Sequence, residues 1–159
     1  MENVLFRDPI EESEDSKHHL FVQIIDFGIA GACSNDKGEK IDAGSIHYMP
    51  PECFEGIVVE SNPGLDVWAI GLMFYSLLYG TLPFFHEDDH ELIKRIKTAK
   101  LRFDPKVPVT EEAKQIITKM LERDPSKRFD LADLFEMDYY KYEEDQFKTI
   151  LEEFEISYA

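Results

Sequence analysis

Apolar residues fall into short extended runs near the start of the chain and into longer helical segments farther on. Residues 3–7 and 20–25 are brief runs rich in branched and aromatic side chains, which is the pattern of two paired strands. The stretch between them is polar and includes an acidic insert at 8–15, which indicates a solvent-exposed loop. We therefore expect a β-hairpin at the N-terminal end.

The helical segments begin after residue 60. Residues 65–80 are apolar on every face and too few to span a membrane, so they predict a helix enclosed by protein on all sides. Residues 88–100 carry acids first and bases last, and residues 110–123 carry one apolar stripe behind a good N-cap, Thr110. Two further short helices are expected at 128–137 and 145–155.

Residues 26–52 lose all periodicity and contain several glycines and a Pro50–Pro51 pair. A long irregular loop inside a compact domain is usually functional. The loop opens with Asp26, which follows an apolar strand and precedes a glycine, so it is well placed to hold a cation. Taken alone, however, an aspartate at the start of a turn is ordinary.

Composition narrows the possible partners. The 159 residues fit one domain or a large piece of one, and the net charge of −16, from 33 acids and 17 bases, argues against nucleic acid or an anionic membrane as partner. It leaves nucleotides open, because a metal on carboxylates can hold phosphates. Two cysteines are too few for a disulfide framework, and no apolar run could span a membrane, so a cytoplasmic protein is expected.

Five motifs follow one another in a fixed order: DFG at 26–28, SxxYMxPE at 45–52, DxWxxG at 66–71, GxxPF at 80–84 and DPxxR at 124–128. In this order they resemble the C-terminal lobe of eukaryotic protein kinases, from about residue 2 to residue 140. The second motif resembles the serine/threonine branch. The segments ENVLF and IIDFGIAG are loosely similar to calcium/calmodulin-dependent and calcium-dependent kinases.

The resemblance implies a mainly α fold, a kinase-like C-lobe with a short N-terminal β-hairpin and no N-lobe. It implies a partial kinase domain at 1–140, within which residues 26–52 are the activation segment. Residues 141–159 would be an acidic, helical C-terminal tail.

The resemblance also implies a site for ATP and Mg²⁺ around the hairpin. Asp26 would hold Mg²⁺ on the nucleotide phosphates, and Asn3 would hold a second Mg²⁺. Leu5 would floor the adenine site, and Ile25 would line its phosphate end. ATP and Mg²⁺ are thus the expected cofactors.

Other residues of the motifs would position the activation segment and the substrate, which is expected to be a protein. Ser45 would help to orient the acceptor, and residues 46–50 would form a shelf beside the phosphorylated position. Phe27 would pack to set the active or inactive state, and Gly28 would allow the backbone to turn. Ser34 is the one plausible activating phosphosite in this loop, unless its acidic residues supply a standing negative charge instead.

Three residues are expected to be structural rather than catalytic. Glu52 and Arg128 match a buried ion pair, and Asp66 matches a residue that hydrogen-bonds the backbone of the catalytic loop. The kinase motif H-R-D-x-x-x-x-N would place the catalytic aspartate five residues before Asn3, ahead of residue 1.

Without the catalytic aspartate and an N-lobe, two functions stay open. The chain is either a serine/threonine protein kinase represented by a lobe that is inactive alone, or a non-catalytic, pseudokinase-like binding or regulatory protein. In the second case it would offer a docking surface or complement a separate N-lobe. Without the helix that precedes the catalytic loop in the family, several of the following side chains of helix 65–80 are expected to face water: Leu72, Met73, Phe74, Leu77 and Leu78.

A competing motif occurs at residues 86–90, where HEDDH matches the zinc-protease pattern H-E-x-x-H. Both intervening residues are aspartates, so the stretch is interpreted as a solvated first helical turn. His18, His19 and His47 have no obvious partners in the sequence and are expected to be exposed.

Overall fold

The computed structural model describes residues 3–6, 22–27, 45–55, 63–130, 132–133 and 136. Two units divide the chain: residues 1–30 with 141–159, and residues 31–140. Several predicted features lie outside the described residues: the acidic insert at 8–15, Gly28, Ser34, the helix at 145–155 and the tail at 141–159.

The predicted hairpin is confirmed. Strands β1 (Val4–Phe6) and β2 (Val22–Ile24) pair antiparallel, with Val4 opposite Ile24. The Ile25 N–H donates to the Asn3 carbonyl oxygen over 2.9 Å, which continues the pairing beyond β2. Four apolar side chains of the two strands are 49–63% exposed, so the hairpin presents apolar surface to solvent: Leu5, Phe6, Val22 and Ile24.

Three helices follow in the second unit: α1 (Pro63–Tyr79), α2 (Asp89–Thr98) and α3 (Glu111–Met120). α1 begins two residues before the predicted boundary because Pro63 is accommodated in a first turn, where its missing N–H costs nothing. Gly80 ends α1 in the left-handed conformation, at φ 72°, and its N–H donates to the Ser76 carbonyl oxygen.

Side-chain caps fix the starts of the other two helices. The Asp88 carboxylate accepts the Glu91 N–H at 3.0 Å, and the Thr110 hydroxyl accepts the Ala113 N–H at 3.2 Å. Each cap satisfies a backbone donor that the helix itself leaves without a partner. Both helices therefore begin where the sequence predicted. In the helix expected at 128–137, the described residues form a reciprocal pair of backbone-to-carboxylate hydrogen bonds between Asp130 and Asp133, and the Glu136 N–H donates to the Ala132 carbonyl oxygen at 3.2 Å.

The core of this unit lies where α1 meets α3 and the inner face of α2. It contains eight buried side chains: Trp68, Leu72, Tyr75, Phe84, Leu92, Ile96, Ile117 and Leu121. A smaller buried cluster joins the same two helices: Val67, Ile116 and Met120. Burial of such side chains is the main favourable contribution to folding.

The expectation that α1 is enclosed on all sides is wrong. Its buried residues recur at helical spacing and form one face, whereas Leu77 is 68% exposed and Ile70 is 40% exposed. Several of five side chains of this helix were expected to face water: among them Leu77 is exposed as expected, whereas Leu72 is 1% exposed and lies in the core. Among the described residues, no helix is long and apolar enough to cross a membrane.

Gly71 permits the close approach of α1 and α3. A Cβ atom at this position would lie 2.8 Å from the Cβ of Met120, an atom that can move only with its backbone. We expect Gly71→Ala to destabilise the protein by about 1–3 kcal/mol through overpacking, although alanine favours helices. Urea unfolding measures this, and Gly71→Ser should cost more because its side chain is larger. A stabilised Gly71→Ala protein would contradict the close packing.

Candidate functional site

The hairpin register brings Asn3 and Asp26 to the same end of the hairpin. Asn3 directly precedes β1, and Asp26 lies two residues beyond β2; since Val4 pairs with Ile24, the start of β1 faces the end of β2. One backbone pairing thus brings two residues with oxygen-bearing side chains, an amide and a carboxylate, to the same end of the hairpin.

The backbone of Asp26 is in the left-handed region, at φ 62°, and it is the only described non-glycine residue with a positive φ. This conformation is uncommon for residues with a Cβ, although aspartate and asparagine tolerate it better than most. Asp26 is exposed. A strained backbone is often found at functional sites, because it aims a side chain that regular structure would direct elsewhere.

The neighbouring apolar residues differ in their exposure. Leu5 is half exposed and Ile25 is partly buried. Phe27 is 69% exposed, so the packing that the family resemblance implies for its ring is not present in this structure.

Residues 45–55 belong to the other unit and form two short 3₁₀ turns, Ile46–Tyr48 and Pro51–Phe54. Ser45 is exposed, and its carbonyl oxygen accepts the Tyr48 N–H at 2.9 Å. Ile46, Tyr48 and Phe54 pack against the core from this segment. The segment is thus anchored from inside while Ser45 stays accessible.

Glu52 and Arg128 form a bidentate ion pair. Arg128 Nη1 and Nη2 donate to the two carboxylate oxygens of Glu52 at 2.6 and 2.9 Å. Nη1 also donates to the Gly64 carbonyl oxygen, Nε donates to the Glu122 carbonyl oxygen, and the guanidinium lies 5.2 Å from the centre of the Trp68 ring. The Arg128 side chain is 1% exposed, so these contacts replace its hydration.

The turn before Arg128 is held by Asp124. The Asp124 carboxylate accepts hydrogen bonds from Lys127 Nζ, Ser126 Oγ and the Ser126 N–H. These bonds, that of Lys127 first, lower the pKa of Asp124 from 3.8 to about 2. The Asp124 carbonyl oxygen accepts the N–H groups of Lys127 and Arg128 at 3.0 Å. The turn therefore fixes the backbone from which Arg128 reaches Glu52.

Two other residues lie close in sequence to the segments that hold this ion pair. Burial raises the pKa of the Cys53 thiol, and Glu52 adds to the shift, so the thiol stays protonated at neutral pH and is a poor nucleophile. Asp66 is exposed in the first turn of α1, where a carboxylate favours the N-terminal end of a helix.

The HEDDH segment is the start of α2, as the sequence predicted. His86 Nδ1 accepts the Asp88 N–H at 3.0 Å, and Asp88 caps the helix. No group of three histidine, cysteine, aspartate or glutamate side chains that could hold a metal ion occurs in the described part of the chain. These contacts give the segment a helix-capping role.

Sequence reasoning missed the surroundings of His47. Its imidazole stacks on the Phe85 ring, with the ring centres 6.0 Å apart and the planes at 25°. The residue is partly buried, so the expectation of an exposed histidine without a partner is wrong. No local pattern could have indicated this contact, because it joins two segments that are distant in the sequence.

The motif order and this geometry agree with comparisons to known proteins. The family described as "Protein kinase domain" matches residues 1–140. The chain belongs to the protein kinase family. Its similarity to serine/threonine kinases confirms the branch expected from the SxxYMxPE motif.

Three relatives illustrate the similarity. Calcium-dependent protein kinase 3 of Plasmodium berghei (strain Anka) is 32% identical over 92% of this chain and 25% of its own length. Serine/threonine-protein kinase Aurora-2 of Arabidopsis thaliana is 35% identical over 72% of the chain and 39% of its own length. Serine/threonine-protein kinase tousled-like 2 of Homo sapiens is 33% identical over 71% and 16%. The chain thus spans about a quarter of the length of the Plasmodium kinase it matches.

Removing the charge of Glu52 should strongly destabilise the unit formed by residues 31–140. In Glu52→Gln the buried guanidinium of Arg128 keeps its backbone partners but loses its counter-ion, which costs about 3–5 kcal/mol. Urea unfolding measures the loss. Glu91→Gln is the matched control, because it removes the charge of an exposed carboxylate paired with Lys94 and should change stability little. Equal effects of the two substitutions would refute a special role for the buried pair.

The lowered pKa of Asp124 predicts a pH-dependent stability difference. Because the folded pKa, about 2, is below the ordinary value of 3.8, the ionised carboxyl stabilises the fold at neutral pH. That contribution is lost as the pH falls from about 4 towards 2. Asp124→Asn should therefore be less stable than the unsubstituted chain at neutral pH and should approach it near pH 2. Urea midpoints across this range test it, and a constant difference would contradict the pKa shift.

Proposed function

We propose that this chain is the C-terminal lobe of a serine/threonine protein kinase, which transfers a phosphoryl group from ATP to a protein hydroxyl. The observation that carries the proposal is the pairing of Val4 with Ile24, which brings Asn3 and Asp26 to the same end of the hairpin. The family membership supports the reaction class.

The donor set fits the proposed metal. Mg²⁺ prefers oxygen ligands and is commonly held by one or two carboxylates together with substrate phosphates and water. Asn3 would offer an amide oxygen and Asp26 a carboxylate, and Asp26 is accessible to solvent. When bound, Mg²⁺·ATP supplies the phosphoryl group with its negative charge partly neutralised. Leu5 and Ile25 would contact the nucleotide from the same hairpin.

We assign substrate positioning to the segment after Ser45. Its exposed hydroxyl residue is followed by a 3₁₀ turn that the core anchors through Ile46 and Tyr48, which suits a shelf for the acceptor peptide. Residues 26–52 are proposed as the activation segment, with Ser34 as a phosphosite. Phosphoryl transfer depends mainly on such positioning and on charge stabilisation.

Catalysis also needs a base and a lysine that pairs with the ATP phosphates. Residues 1–159 contain neither the H-R-D motif ahead of Asn3 nor a Gly-rich loop followed by that lysine. We therefore infer that this chain binds Mg²⁺·ATP weakly and is inactive by itself. The intact protein would supply these groups from an N-lobe, on the same chain or on a separate one.

A second candidate is a non-catalytic protein that uses the lobe for binding. The apolar surface of the hairpin favours it, because Val22 and Ile24 are more than half exposed and would suit a protein partner. The two candidates differ in one measurable property, which is transfer of phosphate from radiolabelled ATP to a serine/threonine peptide library by the intact protein. Transfer that Asp26→Asn abolishes favours the kinase, and partner binding without transfer favours the second candidate.

Asp26→Asn should weaken Mg²⁺-dependent ATP binding on the order of tenfold or more, because an ionised metal ligand becomes neutral. Titration of the intact protein with a fluorescent ATP analogue, with and without Mg²⁺, measures this. Glu112→Gln is the matched control, since it removes an exposed carboxylate from α3. The metal assignment fails if Asp26→Asn binds Mg²⁺·ATP as tightly as Glu112→Gln does.

A further inference from the structure

A basic stretch interrupts this acidic chain at the end of α2. Residues 92–103 contain five bases and no acid, in a chain that has 33 acids and 17 bases. The helix dipole favours bases in the last turns of a helix, which accounts for those within α2. It does not account for Lys100 and Arg102, because α2 ends at Thr98 and the dipole acts only close to the helix end.

The bases of this stretch differ in whether they already have partners. The three within α2 each donate to a group of the chain itself: Lys94 to the Glu91 carboxylate, Arg95 to the Phe85 carbonyl oxygen and Lys97 to the Phe54 carbonyl oxygen. Within the described part of the chain, the side chains of Lys100 and Arg102 form neither an ion pair nor a hydrogen bond, and both residues are exposed. Two positive charges are therefore available to a partner.

The segment after α2 places both bases on one side. Ala99 has an extended backbone, at φ −68° and ψ 137°. Ala99, Leu101 and Phe103 are partly buried against the core, whereas Lys100 and Arg102 between them are exposed. This period of two is that of an extended chain, in which alternate side chains point to the same side. The two bases therefore share the solvent side, with their Cα atoms about 6–7 Å apart.

Buried groups hold the backbone of this segment. The Tyr75 hydroxyl donates to the Arg102 carbonyl oxygen at 2.8 Å, and the ring centres of Tyr75 and Phe103 are 5.9 Å apart. The Arg123 guanidinium donates to the Ala99 carbonyl oxygen. Because the backbone that carries the two bases is already fixed, a partner binds there with little loss of conformational entropy.

The charges around the two bases leave this surface positive. Arg123 adds a cation at the start of the segment, which its neighbour Glu122 offsets in part. α1 carries one charged residue, Asp66, in its first turn. Asp104 is the first acid beyond the segment, and its carboxylate accepts the Lys106 N–H at 2.9 Å. The net charge of −16 acts weakly here, because physiological salt screens charges farther away than about 8 Å.

We propose that Lys100 and Arg102 form a basic patch that docks an extended acidic segment of a partner protein. In such a segment, carboxylates at alternate residues project to one side with the same spacing of about 6–7 Å as the two bases. The Arg102 guanidinium suits bidentate pairing with a carboxylate, and the Lys100 ammonium pairs as a point charge. This docking needs neither ATP nor Mg²⁺, so it goes beyond the proposed phosphoryl transfer.

The test titrates labelled peptides with the intact protein, without nucleotide, and measures fluorescence anisotropy. One peptide has four glutamates at alternate positions among glycines and serines. The second has the same composition, with the glutamates three residues apart, so that successive carboxylates point to opposite sides. The alternating peptide should bind about two- to fivefold more tightly, as expected for one additional exposed ion pair.

Substitutions assign this binding to the patch. Lys100→Gln and Arg102→Gln should each weaken binding of the alternating peptide by about two- to fivefold. Lys94→Gln is the matched control, because it removes the same charge from α2 where the lysine is already paired with Glu91, and it should change binding little. An equal loss in Lys94→Gln would show a general effect of net charge and would overturn the patch.

Two further results would contradict the proposal. Equal affinity for the two glutamate spacings would refute docking of an extended segment. A single-stranded oligonucleotide that binds more tightly than the peptide, with the same dependence on Arg102, would show a nucleic-acid site instead. Phosphate transfer distinguishes this inference from the proposed function. Peptide docking without transfer refutes the kinase activity alone, and transfer without docking refutes the patch alone.

Discussion

The unit of residues 31–140, here called the helical unit, depends on the burial of one charge, the guanidinium of Arg128. Taking a cation out of water is costly unless hydrogen-bond partners and a counter-charge replace the water. Arg128 finds these in three separate parts of the chain: the Glu52 carboxylate, the Gly64 carbonyl and the Glu122 carbonyl. The segment that contains Glu52, the start of α1 and the turn after α3 must therefore come together for the charge to be satisfied.

The burial of Arg128 also constrains the segment proposed to position the substrate, because Glu52 and Ser45 lie in the same short stretch of chain. Glu52 lies in the 3₁₀ turn Pro51–Phe54, and residues just before it are buried or packed on the core. Because one side of the segment packs against the core, Ser45 lies on the side that is exposed to solvent. The buried ion pair thus positions this segment, and Glu52 and Arg128 themselves take no part in the proposed chemistry.

Much of the local structure could be predicted from sequence because its causes are local. Thr110 and Asp88 cap α3 and α2, and the two apolar runs pair as a hairpin. Contacts between distant segments could not be predicted in this way. An all-round apolar helix does not reveal which face its neighbours will cover, so exposure was expected at Leu77, which is exposed, and also at Leu72, which is buried. The stacking of His47 on Phe85 has no sequence pattern at all, and the Glu52–Arg128 pair was expected only through the family resemblance.

The two units carry different parts of the proposed reaction, and their physical controls differ accordingly. In the hairpin, the antiparallel pairing of β1 and β2 brings Asn3 and Asp26 to one end, so their proximity depends on the strands staying paired. In the helical unit, the buried Arg128 and the packing of α1 on α3 decide where Ser45 and His47 are presented. Defects in metal binding and defects in peptide binding should consequently separate, because substitutions in one unit leave the determinants of the other intact.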